Sequence, residues 1–181
     1  MTAERIIEIA ESYLGTHGDP VGSHNVIFNT EYYGYKVNDK NAYYWCVVFV
    51  WYVFKKAGAS ALLYNGEKVN RCSAIQSWAK SAGLTVSKND IRPGDLVLFD
   101  WEPNNSPDHI GIARSTVSNG TFKTVEGNVS DEVKNMNRSI DKVILVVRPR
   151  YETGSNTQNC ENCPLRNALV ELYNRLKEEA N

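Results

Sequence analysis

The sequence has little net charge, few cysteines and histidines, and no long apolar run. Its 20 basic and 21 acidic residues leave a net charge of −1, which argues against the basic surface of a nucleic-acid-binding protein. No stretch approaches the roughly 18 apolar residues that a membrane span needs. The first residues lack a basic segment followed by an apolar run, so we expect a soluble product made in the cytoplasm without a signal peptide.

Four cysteines are too few for the disulfide framework of a small secreted domain; they are Cys46, Cys72, Cys160 and Cys163. The last two form a CxxC motif in a polar segment. One such motif without a second ligand pair is weak evidence for zinc, so a solvated dithiol or a local disulfide is the better interpretation. Cys46 and Cys72 therefore remain as the candidates for chemistry.

The chain length suits one catalytic domain with a short appendage. We assign residues 1–151 to the domain and the Gly-, Ser- and Asn-rich residues 152–163 to a polar linker. Residues 164–181 predict a helix with leucines along one side: Leu165, Leu169, Leu172 and Leu176. A helix this short is marginal alone, so it must pack on a second copy, as a homodimer, or back on the domain.

Helices come first in the predicted element order, and strands follow. Apolar spacing, caps and glycine stops predict helices at 3–14, 46–57 and 73–82, with Ser73 as the cap of the last and a loop over 15–42. Alternating or continuous apolar runs and turn residues predict strands at 95–100, 109–114, 121–126 and 142–148. This order predicts an α+β fold, with helices packed on one face of an antiparallel β-meander.

Cys46 opens the apolar helix and follows Tyr43-Tyr44-Trp45. Peptide dipoles at a helix N-terminus favour an anion, so a thiol there with a histidine nearby ionises more readily, and the thiolate is the nucleophile. The alternative is a structural cysteine buried in a hydrophobic helix. Cys72, just before the expected cap, is a rival nucleophile.

The three histidines lie in different settings. His17 and His24 fall in the polar N-terminal loop, where a solvated surface side chain is the usual outcome. His109 opens a predicted strand directly after the Pro107-Asp108 turn. That position holds the imidazole rigidly and leaves it reachable from a cleft.

Glu126 and Asn128 end the strand that is predicted to pair with the His109 strand. A polar group there can accept a hydrogen bond from one ring nitrogen of His109. The bond fixes the tautomer and leaves the other nitrogen for the thiol.

These residues lie in four blocks that resemble the CHAP domain, a branch of the NlpC/P60-like, papain-like peptidoglycan amidases. The blocks are YWCVVFVW at 44–51, RPGDLVLF at 92–99, DHIGIA at 108–113 and VEGN at 125–128. They occur in the order of the family, and the resemblance covers about residues 3–150.

The resemblance implies a papain-like α+β fold with a C-terminal helix added. It makes Cys46 the nucleophile, His109 the general base and acid, Glu126 the group that orients the histidine, and Asn128 a further polar member of the site. No metal is needed for this chemistry. Some relatives hold calcium in a loop before the nucleophile, but that loop has a single carboxylate here, so we expect no calcium and no other cofactor.

The function implied is bacteriolytic peptidoglycan hydrolysis of the phage or prophage endolysin type. The protein would cut an amide bond, acting either as an N-acetylmuramoyl-L-alanine amidase or as a stem or cross-bridge endopeptidase. Delivery to the wall would use a holin, the virion or a non-classical secretion route. Trp45 and Trp101 are candidates for binding glycan or stem peptide, although Trp101 also suits ordinary loop packing.

Two alternatives remain open from the residues alone. One is a cysteine amidase effector that acts on another amide, such as a glutathionylspermidine-like compound. The other is a non-catalytic wall-binding module whose site has decayed, which the complete set of Cys46, His109 and Glu126 argues against.

Overall fold

The structure, a computed structural model, describes residues 1–37, 39 and 41–152. Met1–Tyr151 form one compact unit. Most of the predicted linker and the predicted C-terminal helix, residues 153–181, lie outside the described residues, so the homodimer expectation stays a prediction. None of the helices in the described ranges is long and apolar enough to cross a membrane.

Four α-helices precede the sheet in the described chain: α1 (Ala3–Glu11), α2 (Ile27–Tyr33), α3 (Cys46–Lys56) and α4 (Cys72–Ser81). The prediction of α3 is confirmed. All of its residues from 46 to 54 are buried, as expected for a helix that is apolar all round and lies inside the core. Lys55 and Lys56 lie in its last turn, where the helix dipole favours a cation.

The other helices differ in detail from the prediction. α1 ends at Glu11, and turns continue to Gly15. α4 begins at Cys72 with Arg71 as its N-cap, so Ser73 lies inside the helix and the prediction of a Ser73 cap is wrong. α2 was predicted as loop. It has only seven residues and starts after Val26, whose side chain cannot accept a capping hydrogen bond.

Six strands in the described residues form a single antiparallel sheet: β1 (Thr85–Val86), β2 (Leu96–Phe99), β3 (His109–Ala113), β4 (Thr121–Glu126), β5 (Lys134–Ser139) and β6 (Val143–Val147). The order is β1-β6-β2-β3-β4-β5. Strands β2, β3 and β4 form a meander as predicted, and β5 extends it. The strand predicted at 142–148 is β6, which lies beside β2 and not beside β4. The prediction omitted β1 and β5, and β5 is polar at almost every position.

Alternate residues of the central strands divide the core between the two faces of the sheet. Leu96 and Leu98 belong to the cluster that contains the buried residues of the helices. Val97 and Phe99 belong to a second cluster on the other face. The helices therefore pack on one face, as predicted for the α+β class. In that packing α3 lies against β3, so the elements that begin with Cys46 and His109 are neighbours.

Candidate active site

Cys46 is the first residue of α3, and only 8% of it is exposed. The first N–H groups of a helix have no acceptor within the helix, and the helix dipole favours an anion beside them. A hydrogen bond with Cys72 lowers the pKa of Cys46 most strongly. Burial opposes this, while the hydrogen bond and positive charge of His109 and the Val47 N–H lower the pKa further. The net result is a pKa well below that of an ordinary thiol, so Cys46 is the ionised sulfur of the site.

His109 begins β3 and lies between the thiol and a carboxylate. Its Nε2 is 2.8 Å from Oε2 of Glu126, so Nδ1 is the ring nitrogen left for the hydrogen bond with Cys46. Burial lowers the pKa of His109, but the bonds to Cys46 and Glu126 and their negative charges raise it to about 9. The lowered pKa of Cys46 and the raised pKa of His109 together favour a thiolate beside an imidazolium.

Glu126 ends β4 and is completely buried. Burial raises its pKa, but hydrogen bonds from Arg138, His109 and Thr124, with the positive charge of His109, outweigh burial and hold the pKa at about 2. The carboxylate is therefore ionised and can balance the charge on the imidazolium.

Arg138 of β5 is a member of this site that the sequence analysis missed. Its Nε donates to Oε1 of Glu126 at 2.9 Å and its Nη2 donates to Oε2 at 2.5 Å, so the two side chains form a bidentate ion pair. The register pairs Arg138 with Phe122. Since residues 122, 124 and 126 share one face of β4, the arginine lies on the same face as Glu126. Its guanidinium carbon is also 4.9 Å from the ring centroid of Trp101.

Gly111 gives the side chain of Glu126 its space. A Cβ at residue 111 would lie 2.7 Å from Cγ of Glu126 and 3.2 Å from its carboxyl carbon. No real side chain tolerates the first of these distances. Only glycine at position 111 of β3 leaves room for the Glu126 carboxylate.

A shallow groove of about 260 Å³ lies beside the imidazole. It is lined by Trp101, His109, Asn128, Val129 and Arg138. The Trp101 ring stacks on Phe99 with 5.0 Å between centroids. Trp101 and Asn128 thus lie where substrate would meet His109, and their assigned roles stay predictions.

The position of Trp45 differs from the predicted one at the surface of the site. It is completely buried, with its ring centroid 5.4 Å from that of Phe28. A Cβ at Gly127 would lie 2.9 Å from the Trp45 ring, so the tryptophan packs directly beneath the chain after Glu126. It offers no surface to a substrate, and its prediction as a substrate-binding residue is wrong.

His24 also differs from expectation, whereas His17 is exposed as predicted. His24 is 3% exposed. Its Nε2 is 3.0 Å from Oδ1 of Asp131, and its Nδ1 bonds to the carbonyl of Ala42. It joins the segment before Cys46 to the segment after Asn128, which makes it a structural residue of the loops that flank the site.

Cys72, the rival nucleophile, is the first residue of α4 and lies against Cys46. The hydrogen bond to Cys46 raises the pKa of Cys72, and burial and the negative charges of Cys46 and Asp108 raise it further. Cys72 therefore keeps its proton when Cys46 has lost its own, and this ionisation favours Cys46 as the nucleophile.

Within residues 1–37, 39 and 41–152, no three His, Cys, Asp or Glu side chains are grouped closely enough to hold a metal ion. The expectations about calcium and cofactors stay predictions.

Replacing Arg138 with alanine is expected to reduce the free energy of unfolding at neutral pH by about 3 kcal/mol, because it leaves a buried carboxylate without its main counter-charge. Urea denaturation measures the change. The loss should shrink as pH falls, because Glu126 in the variant then takes up a proton and the buried charge disappears.

The control for this prediction is Arg92→Ala. Arg92 pairs with Asp90 at the surface, where its side chain is 61% exposed, so the expected change is below about 0.5 kcal/mol. Equal losses in the two variants would contradict the proposed importance of the buried pair.

The fold and site together define an α+β domain with a cysteine, histidine and carboxylate joined by hydrogen bonds. The chain belongs to the CHAP domain family, whose match covers residues 38–128, half of the chain. No curated protein sequence matches the chain.

Among solved structures, the fold is similar to that of Ly7917. The crystal structure of Ly7917 with the hydrolyzing product of MDP aligns with a TM-score of 0.50 and 13% identity, and the crystal structure of Ly7917 aligns with a TM-score of 0.48 and 14% identity. Each alignment covers 82% of this chain and 63% of the other. The chain thus spans less than two thirds of the length of Ly7917, and at this identity the likeness concerns the fold.

Proposed function

We propose that the protein is a cysteine-dependent peptidoglycan hydrolase of the endolysin type, with Cys46 as its nucleophile. The observation that carries the proposal is the hydrogen-bonded series from Cys46 through His109 to the buried Glu126. Membership of the CHAP family supports peptidoglycan as the substrate. The description of Ly7917 with the hydrolyzing product of MDP is in keeping with hydrolysis on this fold.

The first half of the reaction is acylation of the enzyme. The Cys46 thiolate attacks the carbonyl carbon of the amide, and the carbonyl oxygen becomes an oxyanion. The N–H of Cys46, at the start of α3, is a suitable donor to that oxygen. The imidazolium of His109 then gives its Nδ1 proton to the leaving nitrogen, the C–N bond breaks, and a thioester and a free amine result.

The second half is hydrolysis of the thioester. Neutral His109 removes a proton from water, and the resulting oxygen nucleophile attacks the thioester carbonyl. The C–S bond then breaks, which releases a carboxylate and restores the thiolate beside the imidazolium. Throughout, Glu126 holds the ring through Nε2 and stabilises its positive charge, while Arg138 holds Glu126.

The groove beside His109 is suited to a polar, partly planar substrate. Trp101 offers an aromatic face to a sugar ring or a stem-peptide side chain, and Asn128 offers a side-chain amide to a peptide bond. We assign the scissile bond to one of two classes, the N-acetylmuramoyl-L-alanine amide or a peptide bond of the stem or cross-bridge. Delivery to the wall through a holin or a virion completes the proposal.

The test is the chemical identity of the ends released from purified cell walls. Mass spectrometry of the fragments should show new amines paired with new carboxylates. A free lactyl carboxylate on muramic acid, paired with a free N-terminal L-alanine, identifies the amidase. New peptide ends with the lactyl–L-alanine amide still intact identify the endopeptidase. The Cys46→Ala variant, incubated with the same walls, supplies the background.

Two outcomes would contradict the proposal. New reducing sugar ends would mean that a glycosidic bond is cut. Intact walls together with hydrolysis of a small amide such as glutathionylspermidine would mean that the substrate is a different amide.

A further inference from the structure

Arg138 has more hydrogen-bond donors than its contacts with Glu126 use. A guanidinium carries five N–H groups in one plane. Glu126 accepts from two of them, one on Nε and one on Nη2. Nη1 has no acceptor among the described residues, yet it is not enclosed, because the buried side-chain atoms without a partner do not include it. Within the described chain, the edge formed by Nη1 and Nη2 is therefore open to a ligand.

This open edge belongs to a side chain that is held in place and lines the groove beside His109. Glu126 fixes the opposite edge of the guanidinium, and the Trp101 ring lies with its centroid 4.9 Å from the guanidinium carbon. The arginine side chain is 19% exposed. Because these contacts already fix the guanidinium plane, a ligand at the open edge would lose little affinity in ordering the side chain.

The charge at the surface of the groove is positive. The groove is lined by Trp101, His109, Asn128, Val129 and Arg138, none of which is acidic. Glu126 is completely buried and offsets only one of the two positive charges of Arg138 and the imidazolium. The carboxylate of Asp108 accepts from the backbone N–H of Trp101 and does not line the groove. The excess positive charge favours an anionic ligand.

We propose that the open Nη1–Nη2 edge of Arg138 binds a carboxylate of the substrate, which makes the groove a subsite for an acidic stem peptide. The inference rests on the proposed function, since it concerns the substrate of the same site. A carboxylate matches the planar fork of a guanidinium with two parallel charge-assisted hydrogen bonds, and an uncharged amide does not.

The position of the subsite suits an acidic group close to the scissile amide. Nη2 of Arg138 and Nε2 of His109 bond to the same oxygen of Glu126, at 2.5 and 2.8 Å, so they are separated by no more than the sum of these distances. One residue of extended peptide spans roughly 3.5 Å. The carboxylate would therefore lie about one or two residues along the stem peptide from the amide that His109 serves.

Equilibrium binding to the Cys46→Ala variant tests the inference without turnover. The probes are two soluble muropeptides with a whole stem peptide, which differ only in whether its acidic groups are free carboxylates or amides. Isothermal titration calorimetry should give a Kd about tenfold lower for the carboxylate form. The preference should shrink as sodium chloride is added. Equal Kd values for the two muropeptides would mean that only water solvates the open edge, and they would overturn the proposal.

Changes at Arg138 assign the preference to this side chain. In the Cys46→Ala background, Arg138→Gln should reduce it to within about twofold. Arg138→Lys keeps a positive charge beside Glu126, but an ammonium offers no second fork, so the preference should fall below about threefold. Arg92→Gln removes one positive charge from an exposed pair with Asp90 and should leave the preference intact. A tenfold preference that survives both changes at Arg138 overturns the proposal.

Failure of the proposed function has a different signature from failure of the subsite. A preference for the carboxylate that depends on Arg138, with no fragments released from cell walls by the wild-type protein, would contradict the hydrolysis and support the subsite. Hydrolysis of both muropeptides with equal kcat/KM would contradict the subsite and leave the hydrolase standing.

Discussion

Replacement of Cys46 with alanine is expected to slow amide hydrolysis in purified cell walls by about 10⁴-fold or more. Without the sulfur no thioester forms, and only substrate binding and oxyanion stabilisation remain to accelerate direct attack by water. Clearing of a wall suspension and release of amines, measured together, give the rate. Far-UV circular dichroism should match that of wild type, because the change removes one buried sulfur atom from the first turn of α3.

Cys72→Ala is the matched comparison for this experiment. It removes a second buried thiol that touches the same site but keeps its proton, so activity at the optimum of its pH profile should remain within about tenfold of wild type. Equal loss in the two variants would mean that the choice of Cys46 over Cys72 as nucleophile is wrong. Clearing by Cys46→Ala at the wild-type rate would contradict covalent catalysis at this residue.

Glu126→Gln is expected to lower kcat/KM by about 10²- to 10³-fold. The amide is similar in size, but it cannot balance the positive charge on His109, and its N–H₂ group can turn towards Nε2 and favour the wrong tautomer. Arg138 also loses one of its two acceptors, because the amide keeps a single carbonyl oxygen. Steady-state kinetics on a soluble muropeptide would measure the change.

The pH profile should change in a defined direction. In wild type the imidazolium is lost as pH rises through about 9, so activity should fall there. Removing the negative charge of Glu126 lowers the pKa of His109, and the alkaline limb of the variant should move to lower pH. Glu102→Gln, at an exposed loop position, should leave rate and profile unchanged. An alkaline limb that does not move in Glu126→Gln would contradict the assigned partner of the imidazole.

The main elements of this fold could be predicted from the sequence because their signals are local. The apolar run that begins at Cys46 fixes α3, and the runs at 96–99 and 109–113 fix two central strands. Helix α2 gave no such signal, since its start lacks a capping side chain and Phe28 and Asn29 are its only buried residues. Strand β5 reads KNMNRS, which has no apolar alternation, and it is held by pairing with β4.

The residues of the site likewise divide into those that the sequence predicts and those that it does not. Cys46, His109 and Glu126 fall at the ends of predictable elements. The pairing of adjacent strands predicted the approach of Glu126 to His109, and the resemblance to the CHAP domain implied the approach of Cys46. Arg138 lies on the unpredicted β5, and its approach to Glu126 depends on a register that sequence patterns do not set. Cys72 reaches Cys46 only through the packing of α4, which no local pattern describes.

Strand β3 contributes to the proposed chemistry in two ways. One is the imidazole at position 109, and the other is the absence of a side chain at position 111, over which the Glu126 carboxylate passes. A single methyl group on the strand would displace the carboxylate and alter none of the charged groups. A side chain at position 111 would therefore change the orientation of Glu126 relative to His109 without adding or removing a charged group.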